Sequence, residues 1–212
     1  MQFVNKLLCE SLKYTGGEKN REGVFMKKSI PITNNFCPQS LFVYGTNKED
    51  NTPNFGLFGW LSYYFDNELG VMACVGEKKL TKDRILATKM FSANLVTEEF
   101  LPIADYFGSK AGYDKDKMNI AVETERGRIL DVPVLVKSPF VFELEVDKTI
   151  SFNGSDIFLC KIRNVLAEEF LCDDTISVEK RIKTIRPVRT AAQAYYSWDG
   201  NEICAWGKAM KK

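Results

Sequence analysis

The chain has 212 residues, of which 45% are hydrophobic and 27% are charged, and this composition is typical of a globular protein rather than a disordered one. Its 29 Lys and Arg residues nearly balance its 28 Asp and Glu residues, and the formal net charge of +1 argues against a general nucleic-acid binder. The absence of histidine excludes His-containing catalytic triads, His-ligated zinc and imidazole acid–base catalysis, so an enzyme with this sequence is expected to rely on a cofactor.

Residues 1–28 are predicted to form a peripheral arm. They contain one short helical pattern, at residues 4–14, followed by a polar stretch with glycines. We find no signal-peptide pattern and no window with the ~20 apolar residues of a membrane span, so a cytoplasmic protein without a membrane partner is expected. Six cysteines without a CxxC pair indicate reduced thiols, and no metal site is predicted.

Runs of β-branched, aromatic and other apolar residues predict strands in the next part of the chain. These runs cover residues 41–44, 55–65, 69–75 and 91–96. Two helices are predicted among them. Thr81 is expected to cap the first, over residues 82–90, and Thr97 is expected to cap the second, which ends near Gly108.

The rest of the chain is dominated by further strand patterns, at residues 132–136, 140–146, 156–167 and 195–206. The Asp199-Gly200 pair inside the last run predicts a tight hairpin turn. The basic run at residues 180–189 is interpreted as a solvated connection, with a patch that faces a partner or an anionic ligand as the alternative.

No internal repeat and no linker divides the chain, so residues 29–212 are predicted to form one domain. Many short strands, with two helices inserted near residues 81–107, predict a mainly β fold. Because a barrel leaves few exposed strand edges, a closed or nearly closed barrel with short helical insertions is expected.

Two segments are candidates for ligand binding, although neither a GxGxxG motif nor a P-loop is present. At residues 76–81 a strand end turns into a helix start, where N–H groups, a hydroxyl and two ammonium groups suit a phosphate; an ordinary cap with solvated lysines is the alternative. Gly56 and Gly59 interrupt an aromatic strand pattern, which suits the close approach of a planar ring. A bulge or a barrel corner is the alternative for these glycines.

Taken in order, several segments resemble the flavin reductase-like family of FMN-binding split β-barrel proteins, which includes flavoredoxins and ferric-chelate reductases. The resemblance rests on Pro38-Gln39-Ser40-Leu41-Phe42-Val43-Tyr44-Gly45-Thr46, on Pro53-Asn54, on Lys79-x-Thr81 with Ile85, and on Phe91-Ser92-Ala93-Asn94-Leu95. It continues through residues 104–109, 116–117 and 133–145 and spans about residues 30–208. The ordered series carries the resemblance, because no single motif in it is highly specific.

The resemblance implies a homodimer that binds one FMN per subunit near the dimer interface, with NAD(P)H as the electron donor. Because hydride then passes to the flavin N5, no catalytic residue of the chain itself is expected. The resemblance implies contacts of β-strand residues with the isoalloxazine ring and of the lysine-containing turn with the phosphate. The implied cofactor-binding residues are Asn54, Phe55, Gly56, Leu57, Phe58, Gly59, Lys78, Lys79, Thr81, Ser92, Asn94 and Lys117.

Some positions depart from the family pattern or allow a second interpretation. Lys79 stands where relatives commonly have Arg, which keeps the charge but loses the bidentate fork. Lys117 is expected near the cofactor or the partner subunit, with a solvated loop as the alternative. Some relatives are thought to use a histidine beside the nicotinamide, so its absence leaves the use of a pyridine nucleotide open. Four aromatic residues are candidates either for stacking on a ring or for the core: Trp60, Tyr63, Tyr64 and Trp198.

The leading hypothesis is an FMN-dependent oxidoreductase that passes electrons from NAD(P)H through FMN to a flavin, a ferric chelate or a protein acceptor. A flavoredoxin-like electron carrier without its own nicotinamide site is the alternative, and a flavin-free binding barrel is a third class. The expected partners are a second copy of the chain and a small-molecule or redox-protein acceptor, with neither nucleic acid nor a membrane. The Cys37 and Cys74 thiols are either redox partners of the flavin or small apolar groups.

Overall fold

The computed structural model describes residues 27–211, so the predicted helix at residues 4–14 and most of the predicted arm lie outside the described residues. The regular elements all fall within a compact unit that begins at Asn34. The strands are β1 (Gln39–Ser40), β2 (Phe42–Asn47), β3 (Pro53–Phe58), β4 (Leu61–Asp66), β5 (Glu68–Gly76), β6 (Met90–Leu95), β7 (Thr124–Arg126), β8 (Pro133–Leu135), β9 (Phe140–Ser151), β10 (Ser155–Ala167), β11 (Arg189–Ala191), β12 (Ala194–Tyr196) and β13 (Glu202–Ala205). The helices are α1 (Leu80–Thr88), α2 (Leu101–Ser109), α3 (Glu169–Cys172) and α4 (Val178–Ile185), with short 3-10 helices at Lys115–Met118 and Ala209–Lys211. None of the described helices is both long and apolar enough to cross a membrane.

Strands dominate the fold, and the pairings within its sheets are antiparallel. The largest sheet has seven strands in the order β3-β2-β6-β9-β10-β5-β4, a second has the order β1-β11-β12-β13, and β7 pairs with β8. The predicted mainly β fold with short helical insertions is confirmed. The predicted strand over residues 55–65 is divided in two, because the chain turns a corner at Gly59 and Trp60.

This corner constrains the shape of the seven-stranded sheet. The strands β3 and β4 are its two edges, yet only Gly59 and Trp60 separate them along the chain. Since consecutive Cα atoms are ~3.8 Å apart, the two edges approach within ~11 Å at the corner, and the sheet must curl. No pairing joins β3 to β4 among residues 27–211. The curled sheet is therefore a split barrel. The closed barrel that the sequence also allows does not form among the described residues.

Apolar side chains cover both faces of the curled sheet. In β2, Phe42 and Tyr44 belong to the cluster that the sheet encloses, whereas Val43 belongs to a second cluster with α2 and the C-terminal strands. The Tyr44 ring stacks on Phe58 with 4.5 Å between ring centroids, and Phe55 packs against the α2 side. Burial on both faces explains why β2 reads as a continuous apolar run rather than as an alternating one.

Both helix starts differ from the prediction. Helix α1 begins at Leu80 with Lys79 at the N-cap position and no side-chain cap, so the expectation that Thr81 caps it is wrong. The Thr81 hydroxyl lies inside the first turn and accepts a hydrogen bond from a side chain of β3 instead. Helix α2 begins at Leu101 with Phe100 at the N-cap position, so Thr97 does not cap it, although the Thr97 hydroxyl accepts a hydrogen bond from the Phe100 N–H. Pro102 lies in its first turn, where a residue without an N–H is tolerated.

The basic run at residues 180–189 contains a helix that the sequence analysis did not predict. Ser177 caps this helix, α4, by accepting a hydrogen bond from a backbone N–H. Two of the five basic side chains in the run, Lys183 and Arg186, pair with acidic neighbours. These pairs favour the solvated connection over the anion-binding patch. The predicted hairpin after it is confirmed, with Gly200 at a φ of 90° between β12 and β13.

Glu143 is a buried carboxylate in β9 that fastens the loop before β8 to the large sheet. It accepts hydrogen bonds from the backbone N–H groups of Arg128, Ile129 and Leu130 and from the Asn164 side chain, at 2.6–2.9 Å. Burial alone would raise the pKa of Glu143, but these four hydrogen bonds outweigh burial and hold the pKa below its ordinary value.

Replacement of Glu143 by Ala is expected to lower the free energy of unfolding by ~3 kcal/mol, because several donors lose their acceptor. Since the native pKa is depressed, this stabilisation is present at neutral pH and is lost as the pH falls below the ordinary glutamate range. Urea denaturation at neutral and acidic pH measures both effects. The control is Glu145→Ala, on an exposed position of the same strand, with an expected change under ~0.5 kcal/mol. Equal losses in the two variants would contradict this account.

Candidate functional site

A cleft of about 660 Å³ opens at the split between the two edges of the large sheet. Cofactor and ligand sites are typically clefts of ~300–1,000 Å³, so this one has a suitable size. One wall is formed by the corner between β3 and β4 together with the end of β5 and the turn that follows it. This wall consists of Leu57, Phe58, Gly59, Trp60, Cys74, Gly76, Glu77 and Lys79.

The opposite wall, here called the C-terminal wall, comes from β11, β12 and the segment after β13. It consists of Thr190, Ala191, Ala192, Gln193, Tyr195, Trp206 and Gly207. The buried carboxylate of Asp105 in α2 fixes it by accepting hydrogen bonds from the Tyr195 hydroxyl, at 2.7 Å, and from two backbone N–H groups after β13. The indole N–H of Trp206 donates to Thr190 Oγ1 at 2.8 Å. The wall is therefore held rigidly against α2.

A buried polar group lies at the end of β3 farthest from the corner. Asn54 Nδ2 donates to Thr46 Oγ1 at 3.1 Å and to Thr81 Oγ1 at 3.0 Å. Asn54 Oδ1 is buried and has no hydrogen-bond partner among the described residues. Gly56 permits this arrangement, because a Cβ there would lie 3.0 Å from Thr81 Oγ1. A buried acceptor without a partner is unfavourable by ~1–3 kcal/mol, so Asn54 Oδ1 is a candidate acceptor for a ligand hydroxyl.

Lys117 is a buried lysine in the 3-10 helix Lys115–Met118. Its side chain is only 3% exposed, and it forms no ion pair within the part of the chain that the structure describes. Burial lowers the pKa of Lys117 to about 8; Asp114 opposes this shift, while the charges of Lys79 and Lys48 add to it. A buried cation flanked by two further cations has the electrostatics of an anion-binding site.

Three separate elements contribute these ammonium groups, here called the lysine cluster: Lys48 in the β2–β3 turn, Lys79 before α1, and Lys117. Lys79 also pairs with Glu77 at 3.2 Å, but both side chains are solvent-exposed and such pairs contribute little. The loop that leads to Lys117 passes close to the polar group in β3, since a Cβ on Gly112 would lie 3.2 Å from the unpaired amide oxygen there. The lysine cluster and that oxygen therefore belong to one region.

The structure brings several of the predicted site residues together. Leu57, Phe58, Gly59 and Lys79 line the cleft. Asn54, Thr81 and Lys117 form the polar region at the far end of β3. Lys78 does not line the cleft, and its Nζ lies 5.8 Å from the centroid of the Tyr113 ring, in the loop that leads to Lys117.

Four other predicted residues are used inside the protein instead. Phe55 packs in the core, and Gly56 faces the side chains of the polar region rather than the cleft. Asn94 donates to a β2 carbonyl and accepts from Leu135 N at 2.9 Å, while Ser92 donates to a β8 carbonyl. Because these polar groups already have partners, they hold β8 on the sheet and do not reach the cleft.

Among the four aromatic candidates, Trp60 is the best placed for a ligand, since it lines the cleft and is 56% exposed. Tyr63 packs edge-on against Phe142, and Trp198 lies beneath the Arg189 guanidinium. These contacts give Tyr63 and Trp198 structural roles.

Three parts of the region escaped the sequence analysis or were left open by it. Lys48 lies in a polar turn, where a solvated lysine is usual, and the C-terminal wall comes from very short strands that carry no motif. The Cys37 and Cys74 residues also line the cleft. Burial and the nearby Asp156 raise the pKa of Cys74, so its thiol stays protonated at neutral pH.

Comparisons with known proteins agree with this architecture. The family model of the flavin reductase like domain matches residues 35–175. The fold is similar to that of flavoredoxin of Desulfovibrio vulgaris (Miyazaki F), with a TM-score of 0.72 and 23% identity over 81% of this chain and 93% of that chain. It is also similar to nitrilotriacetate monooxygenase component B from Bacillus cereus, with a TM-score of 0.71 and 12% identity over 81% of this chain and 95% of that chain. An FMN-binding protein from Thermus thermophilus has a TM-score of 0.65 and 20% identity over 82% of this chain and 94% of that chain. A comparison with curated proteins finds no match.

Replacement of Lys117 by Met is expected to raise the free energy of unfolding of the ligand-free protein by ~2 kcal/mol, because it removes a desolvated charge that Asp114 only partly offsets. Burial depresses the pKa of Lys117 to about 8 in the folded protein. Between about pH 8 and the ordinary lysine pKa, the folded wild-type protein has therefore lost a proton that the unfolded chain still holds. The advantage of Met is therefore largest below pH 8 and declines above it. Urea denaturation across this pH range provides the measurement.

The control for this prediction is Lys115→Met, on the exposed face of the same 3-10 helix, with an expected change under ~0.5 kcal/mol. A Lys117→Met protein that is less stable than wild type at neutral pH would show that the ammonium group has a stabilising internal partner.

Proposed function

Because this chain belongs to the flavin reductase-like family, we propose that it binds FMN in the cleft and acts as an FMN-dependent oxidoreductase. The family gives the chain a flavin-related redox role. The identity of the flavin, its contacts and the electron donor and acceptor form the proposal.

The observation that supports FMN most strongly is Lys117, a lysine that is only 3% exposed and forms no ion pair among the described residues. A phosphate monoester carries roughly 1.5–2 negative charges at neutral pH and would provide the counter-charge that this region lacks. Lys79 and Lys48 add positive charge from two sides. The Thr81 hydroxyl accepts from Asn54, and its own proton makes no hydrogen bond among the described residues, so it can donate to a phosphate oxygen.

The length of β3 fits a ligand with one charged and one planar end. At ~3.3 Å per residue, Asn54 and Gly59 are ~16 Å apart along the strand. A ligand that lies along β3 meets the lysine cluster at one end and the apolar corner with Trp60 at the other. FMN has its groups in the matching order, with the phosphate at the lysine cluster, the ribityl hydroxyls at Asn54 Oδ1 and the ring at the corner.

When bound, FMN supplies the transfer of hydride and electrons between a donor and an acceptor. The residues of the chain bind and orient the cofactor: Lys117 and Thr81 hold the charged end, and the corner at Gly59 and Trp60 receives the ring. Trp60 covers one side of the corner, while the wide cleft leaves room for a second molecule beside the flavin.

We propose NAD(P)H as the donor and a free flavin, a ferric chelate or a redox protein as the acceptor. A flavoredoxin-like electron carrier without a nicotinamide site is the second candidate, because flavoredoxins from two organisms share this fold with TM-scores of 0.72 and 0.68. A homodimer remains the expectation from the family resemblance, and a cytoplasmic location remains the expectation from the sequence.

The two candidate functions differ in one measurement. The protein reconstituted with FMN is expected to be yellow with one flavin per chain, and anaerobic addition of NADH or NADPH is expected to bleach the visible flavin band. Free NADH mixed with FMN under the same conditions is the control. A flavin band that persists in the presence of both nucleotides would favour the electron carrier, and a chain that takes up no FMN would contradict both.

The place of the phosphate is tested by comparing FMN with riboflavin, which lacks the phosphate. Lys117→Met is expected to weaken FMN binding by ~10-fold or more and to leave riboflavin binding nearly unchanged, because only FMN offers a charge to the ammonium group. In the wild-type protein, FMN affinity is expected to fall as the pH rises above about 8, where the free protein loses the Lys117 proton. Fluorescence titration measures these affinities, with Lys115→Met as the control. Equal weakening of FMN and riboflavin would place the phosphate elsewhere.

A further inference from the structure

The turn between β11 and β12 has an unusual backbone for its sequence. Ala191 pairs with Ala194, so Ala192 and Gln193 alone form the turn, and their φ angles are 49° and 61°. Two-residue hairpin turns with positive φ at both positions favour Asn and Gly, because other side chains are strained there. Neither favoured residue is present in this turn.

Surrounding hydrogen bonds hold the turn in this conformation. The backbone N–H of Trp206 donates to the Gln193 carbonyl at 3.0 Å, and Thr190 Oγ1 donates to the Ala194 carbonyl at 2.9 Å. The Trp206 indole in turn donates to Thr190 Oγ1. The protein therefore maintains a strained turn through a network that extends to the neighbouring strand, and such strain is found most often at functional sites.

This turn is part of the C-terminal wall and lines the cleft together with residues 57–60. The Gln193 side chain is exposed, and its carboxamide makes no hydrogen bond to any other described residue. The turn also lies outside residues 35–175, the range that matches the family model, so membership of the family assigns it no role. A fixed backbone that carries a free amide at a cleft is well suited to recognise a ligand.

We propose that Gln193 is a specificity-determining residue that hydrogen-bonds the carboxamide of a nicotinamide ring bound beside the flavin, an inference that rests on the proposed function. A primary amide offers a C=O acceptor and an NH₂ donor, and the Gln193 amide provides the complementary pair. In a chain without histidine, this neutral amide supplies a polar contact for the nicotinamide without an imidazole. Because the turn is already fixed, little backbone entropy is lost when the ring binds.

The test compares wild-type, FMN-loaded protein with Gln193→Gly. Glycine removes the carboxamide and relieves the positive φ, so the variant is expected to fold with equal or higher thermal stability and unchanged FMN affinity. The dissociation constants of NAD⁺ and NADP⁺ are measured by calorimetry, so the readout does not depend on turnover. We expect the better-bound nucleotide to bind Gln193→Gly ~10-fold more weakly than wild type.

A chemical control uses the same dinucleotide with nicotinic acid in place of nicotinamide. Its carboxylate offers no donor to the Gln193 oxygen, so wild type is expected to prefer the nicotinamide form, and Gln193→Gly is expected to lose that preference. Asn67→Gly is the matched control variant, because Asn67 has a φ of 58° in the β4–β5 turn, outside the cleft. It is expected to bind all ligands as wild type does.

The failure of this inference and the failure of the proposed function give different results. If NAD(P)H bleaches the flavin in wild type, but Gln193→Gly binds the nucleotides equally well or keeps the preference for nicotinamide, then Gln193 does not recognise the ring and the inference alone is overturned. If wild-type protein takes up FMN but is not bleached and binds neither nucleotide, the reductase function is overturned, and the inference is overturned with it.

Discussion

A connection of two residues, Gly59 and Trp60, joins the opposite edges of a seven-stranded sheet, and the cleft depends on this constraint. With so short a connection the sheet has to curl until its edges nearly meet, yet β3 and β4 do not pair. The gap left between them is lined by apolar side chains from the corner and closed on its other side by the C-terminal wall. Asp105 fixes that wall from α2, so the cleft is a consequence of the topology rather than of a mobile loop.

The second requirement of the site is electrostatic. The chain as a whole is almost neutral, so the proposed anion site depends on local placement of charge. Burial and the charges of Lys79 and Lys48 depress the pKa of Lys117, so its positive charge is unfavourable in the ligand-free protein. Functional residues often destabilise the free protein in this way, because the ligand provides the interactions that the free protein lacks. Asn54 Oδ1 is also unfavourable in the free protein, because it is a buried acceptor that receives no hydrogen bond from the described residues.

The sequence predicted the strands well, because runs of β-branched and aromatic residues report burial on a sheet directly. It also pointed to the turn before α1, where Lys79 lines the cleft. It could not separate polar residues that face a ligand from those that pair within the sheet, as the satisfied side chains of Ser92 and Asn94 illustrate. Nor could it place the C-terminal wall, because strands of three residues leave no periodicity and the turn at Ala192 and Gln193 lacks the usual Asn or Gly. Such features arise from tertiary contacts that no local pattern encodes.

The most direct test of the account is a crystal structure of the protein grown or soaked with FMN. The account predicts density for one flavin along β3, with its phosphate within hydrogen-bond distance of Lys117 Nζ and the Thr81 hydroxyl and its ring beside Gly59 and Trp60. A flavin bound with its phosphate away from the lysine cluster, while Lys117 remains buried and unpaired, would contradict the central claim that this ammonium group is the counter-charge of the cofactor.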